Sequence, residues 1–168
     1  MIETTGPAAP MHPPTSMVPA ELAPPAAAAR LRGCERLLLV DDEPFIRAVL
    51  RRVLTAAGVP RARITEAGSA EEALPLLEGA GFDLVLSDFR MGRMNGIELL
   101  GWVREHQPAA ARLLMTGYNE GVDTVQGVDQ ARPHGLVKKP WDNDALLAEL
   151  ERALGERDAE APRARGGA

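Results

Sequence analysis

Four short apolar runs in this chain each end in a polar residue, and most of the intervals between them are long enough to hold a helix. Leu37-Leu38-Leu39-Val40 leads into Asp41, Asp42 and Glu43. Phe82-Asp83-Leu84-Val85-Leu86-Ser87 leads into Asp88. Leu113-Leu114-Met115 leads into Thr116 and Gly117. Gly135-Leu136-Val137-Lys138 leads into Lys139 and Pro140. Short, nearly continuous apolar runs bounded by turn residues read as strands buried on both faces, which is the pattern of a parallel sheet.

The intervening segments carry helical periodicity. Residues 44–57 place Phe45, Ile46, Val49, Val53 and Leu54 near helical spacing, with Pro44 at the first turn and Gly58 at the stop. Ser69 and Glu72 form a capping-box pair that opens a second helix running through Leu77. Residues 95–105 form a third, closed before Pro108. Residues 119–131 form a fourth, in which Gly121 and Gly127 each cost roughly 1 kcal/mol against Ala. Residues 142–154 form a fifth, with Leu146, Leu147, Leu150 and Leu154 on one face. A short strand at 63–67 completes five strands alternating with five helices. The expectation is an α/β fold: a single domain built on a five-stranded, doubly wound parallel sheet.

Composition sets the limits of that domain. Pro7, Pro10, Pro13, Pro14, Pro19, Pro24 and Pro25 deny residues 1–33 long regular elements, so a disordered Pro/Ala-rich tail is expected, with a short helix over 26–31 packed on the domain. The domain is expected over 34–154. Residues 155–168, charged and then Gly-rich, read as a flexible tail with no output domain after it. A net charge of -5 gives no electrostatic footprint for nucleic acid. No apolar stretch approaches the roughly 20 residues of a membrane span, and no basic-then-apolar leader opens the chain. The only cysteine, Cys34, fits a reducing compartment. A cytoplasmic chain with neither nucleic acid nor membrane as partner is expected. His12, His106 and His134 are scattered without metal spacing and read as surface residues.

In an open α/β sheet, ligands bind beyond the carboxyl ends of the strands. Asp41, Asp42, Asp88, Thr116 and Lys139 would then meet on one edge. Three neighbouring carboxylates repel one another unless a cation joins them, and hard oxygen ligands suit Mg²⁺ or Mn²⁺. Taken singly, each residue has an ordinary structural reading: a helix cap, a turn-forming Asp, a strand-end Thr, a solvated Lys. Their joint occurrence in this order favours a site for a divalent metal and a phosphoryl group.

With Asp41-Asp42, Asp88-Phe89-Arg90-Met91-Gly92-Arg93-Met94-Asn95-Gly96, Met115-Thr116-Gly117 and Lys139-Pro140 in place, the chain resembles the receiver domain of two-component response regulators. It is similar to the chemotaxis response regulator over residues 36–154, which implies a flavodoxin-like sheet. The resemblance implies that Asp88 accepts phosphate. It implies that Asp42 ligates Mg²⁺ directly and Asp41 through water, with Asp88 and the carbonyl of Arg90 as further ligands. Thr116 would bond to the phosphoryl group, Lys139 would pair with it, and the Lys139–Pro140 peptide would be cis. A signalling module rather than an enzyme is implied, limited to metal-dependent self-phosphorylation and self-dephosphorylation. Its partners would be a histidine kinase or phosphotransfer protein, and an output protein contacting the fourth helix, fifth strand and fifth helix. The chemistry is consistent: a carboxylate nucleophile forms an acyl phosphate, while a metal and an ammonium offset the charge on the transferring group. The rival readings are a pseudo-receiver that acts without phosphorylation, and a metal-dependent phosphatase. The phosphatase needs a second Asp where Arg90 stands.

Four positions depart from or tune the family pattern. Met91-Gly92 stands where Met-Pro is usual, and Leu136 stands where an aromatic switch residue is usual. Arg90 and Tyr118 are bulky where the family admits the hydrolytic water, which predicts slow self-dephosphorylation. Trp141 is read as packing at the start of the last helix. Lys139-Pro140-Trp141, with Thr116-Gly117-Tyr118 upstream, resembles receivers attached to transcription activators or cyclic-dinucleotide hydrolases.

Overall fold

Every strand pairing is parallel, and the strands lie in the order β2-β1-β3-β4-β5. The computed structural model describes residues 28–117 and 127–165. Along the chain come α1 (Ala29–Gly33), β1 (Leu37–Val40), α2 (Pro44–Ala56), a 3₁₀ turn (Arg61–Arg63), β2 (Ile64–Ala67) and α3 (Ala70–Gly79). Then follow β3 (Leu84–Asp88), α4 (Gly96–His106), β4 (Ala111–Thr116), α5 (Val128–Ala131), β5 (Gly135–Lys138) and α6 (Asn143–Arg165). Val40 pairs with Ser87, Asp88 with Met115, and Thr116 with Lys138, so the strand ends stay in step along one edge. The order reverses between β1 and β3, the switch point where such sheets open a crevice.

Side chains alternate across the sheet with period two. Leu37, Leu39, Leu84, Leu86, Leu113 and Met115 pack with α1, α2 and α6 on one face. Leu38, Val40, Val85 and Leu114 pack with α3, α4 and α5 on the other. The expected doubly wound α/β sheet is therefore observed.

Several local expectations are corrected. On α2 the buried residues are Leu50 and Leu54, backed by Ile46 and Val53, while Phe45 is 73% exposed. Ser69 Oγ accepts from the Glu72 amide at 3.1 Å, but the Glu72 carboxylate takes the amide of Gly68 at 2.7 Å. The complete reciprocal cap is on α4, between Asn95 and Glu98, with both bonds at 2.9 Å. The short helix expected at 26–31 lies at Ala29–Gly33 and buries Leu31. Of the expected fourth helix, Val128–Ala131 is described; 119–126 lie outside the described residues, as do 1–27.

The last helix does not end at Leu154. α6 continues to Arg165 because polar contacts tie its second half to the domain. Arg157 donates to the Asp83 carbonyl at 3.0 Å, and Glu160 meets His134 Nε2 at 3.1 Å. That contact also corrects the reading of His134, which is buried, its Nδ1 taking the Arg112 amide at 3.0 Å. His106 is exposed as expected and stacks on Trp102; His12 lies outside the described residues. Cys34 is buried, and desolvation pushes its thiol up to about 11. Among the described residues no helix is long and apolar enough to cross a membrane.

Candidate functional site

Asp41 follows the last residue of β1 and is fully buried. Its amide donates to the Ala67 carbonyl at 3.2 Å, and its own carbonyl accepts from Arg47 Nη1. Oδ1 takes the Glu43 amide at 2.9 Å and Oδ2 takes Lys139 Nζ at 2.7 Å. Asp42, next in the turn, is exposed. Asp88 is the last residue of β3 and is 8% exposed. Asp41, Asp42 and Asp88 offer carboxylate oxygens that all lie within 4.8 Å of one another.

Lys139 stands one residue past β5, placed by its amide bond to the Thr116 carbonyl at 2.8 Å. Its peptide bond to Pro140 is cis, as expected. Its ammonium lies 2.9 Å from Asp88 Oδ1 as well as bonding Asp41. Thr116 ends β4, and its Oγ1 is buried without a hydrogen-bond partner among the described residues. A buried hydroxyl left so costs about 1–3 kcal/mol, and such an atom is a natural contact for an absent ligand.

The electrostatics follow from burial. Desolvation raises the Asp88 carboxyl above its ordinary pKa; Asp41 and Asp42 push the same way, and Lys139 opposes them. Burial works against the Lys139 ammonium, but hydrogen bonds to Asp41 and Asp88 outweigh it and its pKa is raised. An edge with three carboxylates and one resident ammonium remains anionic. Oxygen donors with that excess charge fit a hard divalent cation. Asp42 and Asp88 are the better placed to bind one directly, since both Asp41 oxygens already accept hydrogen bonds.

The loop after Asp88 is anchored rather than loose. Met91 is buried against the α4 side of the core. The Phe89 amide donates to the Met115 carbonyl at 2.9 Å, and the Gly96 amide to the Phe89 carbonyl at 2.9 Å. Gly92 has φ +41°, a backbone region closed to proline, so the usual Met-Pro could not follow this path. A Cβ on Gly96 would lie 2.1 Å from the Asp88 carbonyl oxygen, so only glycine lets α4 start against this strand end. Arg90 lies in this loop with its side chain exposed. Leu136 is half-buried against the α3–α5 face of the core, and Trp141 packs against the opposite face. Tyr118 lies outside the described residues.

The strand-end residues Asp41, Asp42, Asp88, Thr116 and Lys139 thus lie on the edge where the sequence placed them. Arg47 was missed, and Gly96 stood in the motif without its close approach to Asp88 being read from it. Gly96 had a signal in the Asn95-Gly96 pair. Arg47 had none beyond its position on the second turn of α2.

The family described as response regulator receiver domain matches residues 37–151. The hydrogenase transcriptional regulatory protein HoxA of Cupriavidus necator is 34% identical over 118 residues, which are 70% of this chain and 24% of that protein. The response regulator protein FleR of Pseudomonas aeruginosa is 38% identical over 122 residues, 72% of this chain and 25% of that protein. The chain therefore spans about a quarter of the length of the curated relatives it matches. Among solved structures, the signal receiver domain of an HD domain-containing protein from Pseudomonas fluorescens Pf-5 is 29% identical with a TM-score of 0.67. It covers 74% of this chain and 98% of that one. The response regulator TrrA of Thermotoga maritima, in complex with Mg(2+)-BeF, is 30% identical with a TM-score of 0.62, covering 71% and 98%. Matched over more than half its length, and carrying the sheet order and strand-end residues described above, this chain belongs to the response regulator receiver domain family.

Proposed function

We propose that the chain is a phosphorylation-dependent receiver that accepts a phosphoryl group on Asp88 from a histidine kinase or phosphotransfer protein. The observation that carries the reading is the Asp88–Lys139 contact of 2.9 Å, on the edge where Thr116 Oγ1 lacks a partner among the described residues. An Asp88 oxygen attacks phosphorus; its O–P bond forms as the N–P bond of the donor phosphohistidine breaks, leaving an acyl phosphate. Lys139 pairs with the transferred group and Thr116 donates its hydroxyl to it. Asp42, Asp88 and the Arg90 carbonyl would hold Mg²⁺ (or Mn²⁺), with Asp41 as a supporting carboxylate. The bound metal supplies charge neutralisation for the oxygens of the transferring group. Output is protein–protein contact through the surface of α5, β5 and α6.

The test is intact mass after incubation with Mg²⁺ and a small acyl-phosphate donor. One added phosphoryl group in the wild type, absent from Asp88→Ala, is expected. The second reading, a pseudo-receiver, is favoured by Leu136, which has no ring to couple Thr116 to the surface. No mass gain in the wild type would support it.

A further inference from the structure

Arg47 lies on α2, half-buried, six residues past Asp41, and its Nη1 donates to the Asp41 main-chain oxygen. That oxygen belongs to the peptide that leads into Asp42, the exposed carboxylate of the strand-end cluster. The other groups of Asp41 are fixed elsewhere: the amide on Ala67, Oδ1 on the Glu43 amide and Oδ2 on Lys139. Arg47 is therefore the contact that sets the plane of the 41–42 peptide. Gly68 lies alongside: a Cβ there would be in ordinary contact with Arg47 Nη1 at 3.6 Å and tighter against Glu72 Oε2 at 3.2 Å. The guanidinium passes from α2 toward the β2–α3 turn beside a residue that has no side chain.

We propose that Arg47 is a positioning residue for the divalent cation: it orients the 41–42 peptide so that Asp42 faces the Asp88 carboxylate. The proposal rests on reading Asp41, Asp42 and Asp88 as a cation site. Two effects of Arg47 have opposite signs. Its charge repels a dication, so losing it would tighten binding. Its hydrogen bond holds a ligand-bearing turn, so losing it weakens binding. Charge at a half-exposed position is screened, whereas a misdirected ligand is not, so orientation prevails.

The experiment titrates Mg²⁺ alone into the full chain and follows intrinsic fluorescence, Trp141 being two residues past Lys139. Amide exchange at Asp42 and Glu43 is measured in metal-free protein. Arg47→Ala should weaken Mg²⁺ binding about tenfold, the expression of one lost charge-assisted hydrogen bond, and speed exchange at Glu43. Arg47→Lys, which keeps the charge but not the fork, should recover part of the affinity. Arg47→Met, which keeps an apolar stem but donates no hydrogen bond, should weaken Mg²⁺ in the same direction and serves if Arg47→Ala does not fold. Binding by Arg47→Ala as tight as or tighter than wild type overturns the proposal. A wild type that binds no Mg²⁺ overturns the cation-site reading instead, and the metal-free exchange of Glu43 still decides whether Arg47 holds the turn.

Discussion

Lys139 reaches Asp88 at 2.9 Å from the far side of β4, because the strand carrying Thr116 lies between β3 and β5. The same ammonium bonds Asp41 at the end of β1, so one flexible side chain staples three strand ends. Removing it takes the bonded ammonium away from the fully buried Asp41 carboxylate. Breaking such a pair from one side costs about 3 kcal/mol. Lys139→Met should lower the melting temperature of metal-free protein and gain more from added Mg²⁺ than wild type does, since the dication then replaces the lost charge. Thermal melts with and without Mg²⁺ measure both; equal metal-induced shifts would count against a shared task.

Asp88 itself lowers stability at neutral pH. Burial raises its folded-state pKa, so the native protein holds that proton more tightly than the unfolded chain does. The stabilisation from the protonated form is full below the unfolded value near 3.9 and is lost as pH rises through the folded value. Asp88→Asn, neutral and of similar shape, should therefore be more stable than wild type at pH 7 by about 1 kcal/mol, with the advantage shrinking toward pH 4. Denaturant titrations at the two pH values test it, and a variant no more stable at pH 7 refutes it.

Much of this was legible because buried parallel strands write themselves as unbroken apolar runs, and a strand end is where such a run stops. Asp41, Asp88, Thr116 and Lys139 could be found by that rule alone. What escaped it depends on contacts between distant segments. Whether His134 is buried is settled by Arg112 and Glu160, 22 and 26 residues away. The course of α6 past Leu154 depends on Asp83, 74 residues from Arg157. The turn at Gly92 escaped it too, because a left-handed φ is invisible in a sequence.

That turn yields a prediction of its own. Proline would force φ near −65° where the chain has +41°. Gly92→Pro should cost about 1–3 kcal/mol and weaken Mg²⁺ binding, although it restores the residue usual in the family. Chemical denaturation and Mg²⁺ titration of the variant provide the check, and an unchanged or stabilised protein would show that the loop tolerates either path.

His134 gives the domain an acid sensitivity. Its Nδ1 accepts the Arg112 amide, so the ring proton belongs on Nε2, facing Glu160. Burial lowers its pKa despite the Glu160 carboxylate. The stabilisation from the neutral ring is present above the unfolded value near 6.5 and is lost as pH falls through the lower folded value. His134→Asn should be less stable than wild type at pH 7.5 by about 1–2 kcal/mol but lose less on going to pH 5.5. Parallel slopes of stability against pH for the two proteins would remove His134 as the cause.

The segment before the family match docks on α6 where the match ends, at Glu151, and just beyond it, at Asp158. α1 lies wholly before residue 37, and residues 152–165 of α6 lie after the match ends at 151. Leu31 is fully buried, and its amide donates to Glu151 Oε1 at 2.8 Å. Arg30 pairs with Glu151 at 3.7 Å and with Asp158 at 3.6 Å. A five-residue helix has no stability of its own, so docking must hold it. The ion pairs of half-exposed Arg30 contribute under about 1 kcal/mol, whereas truncating Leu31 removes buried apolar surface worth about 2 kcal/mol or more. Leu31→Ala should therefore speed amide exchange across 152–165 while leaving the sheet protected, and Arg30→Ala should do so only weakly. Equal loosening by the two variants would mean that charge, and not the buried leucine, joins the two flanking segments.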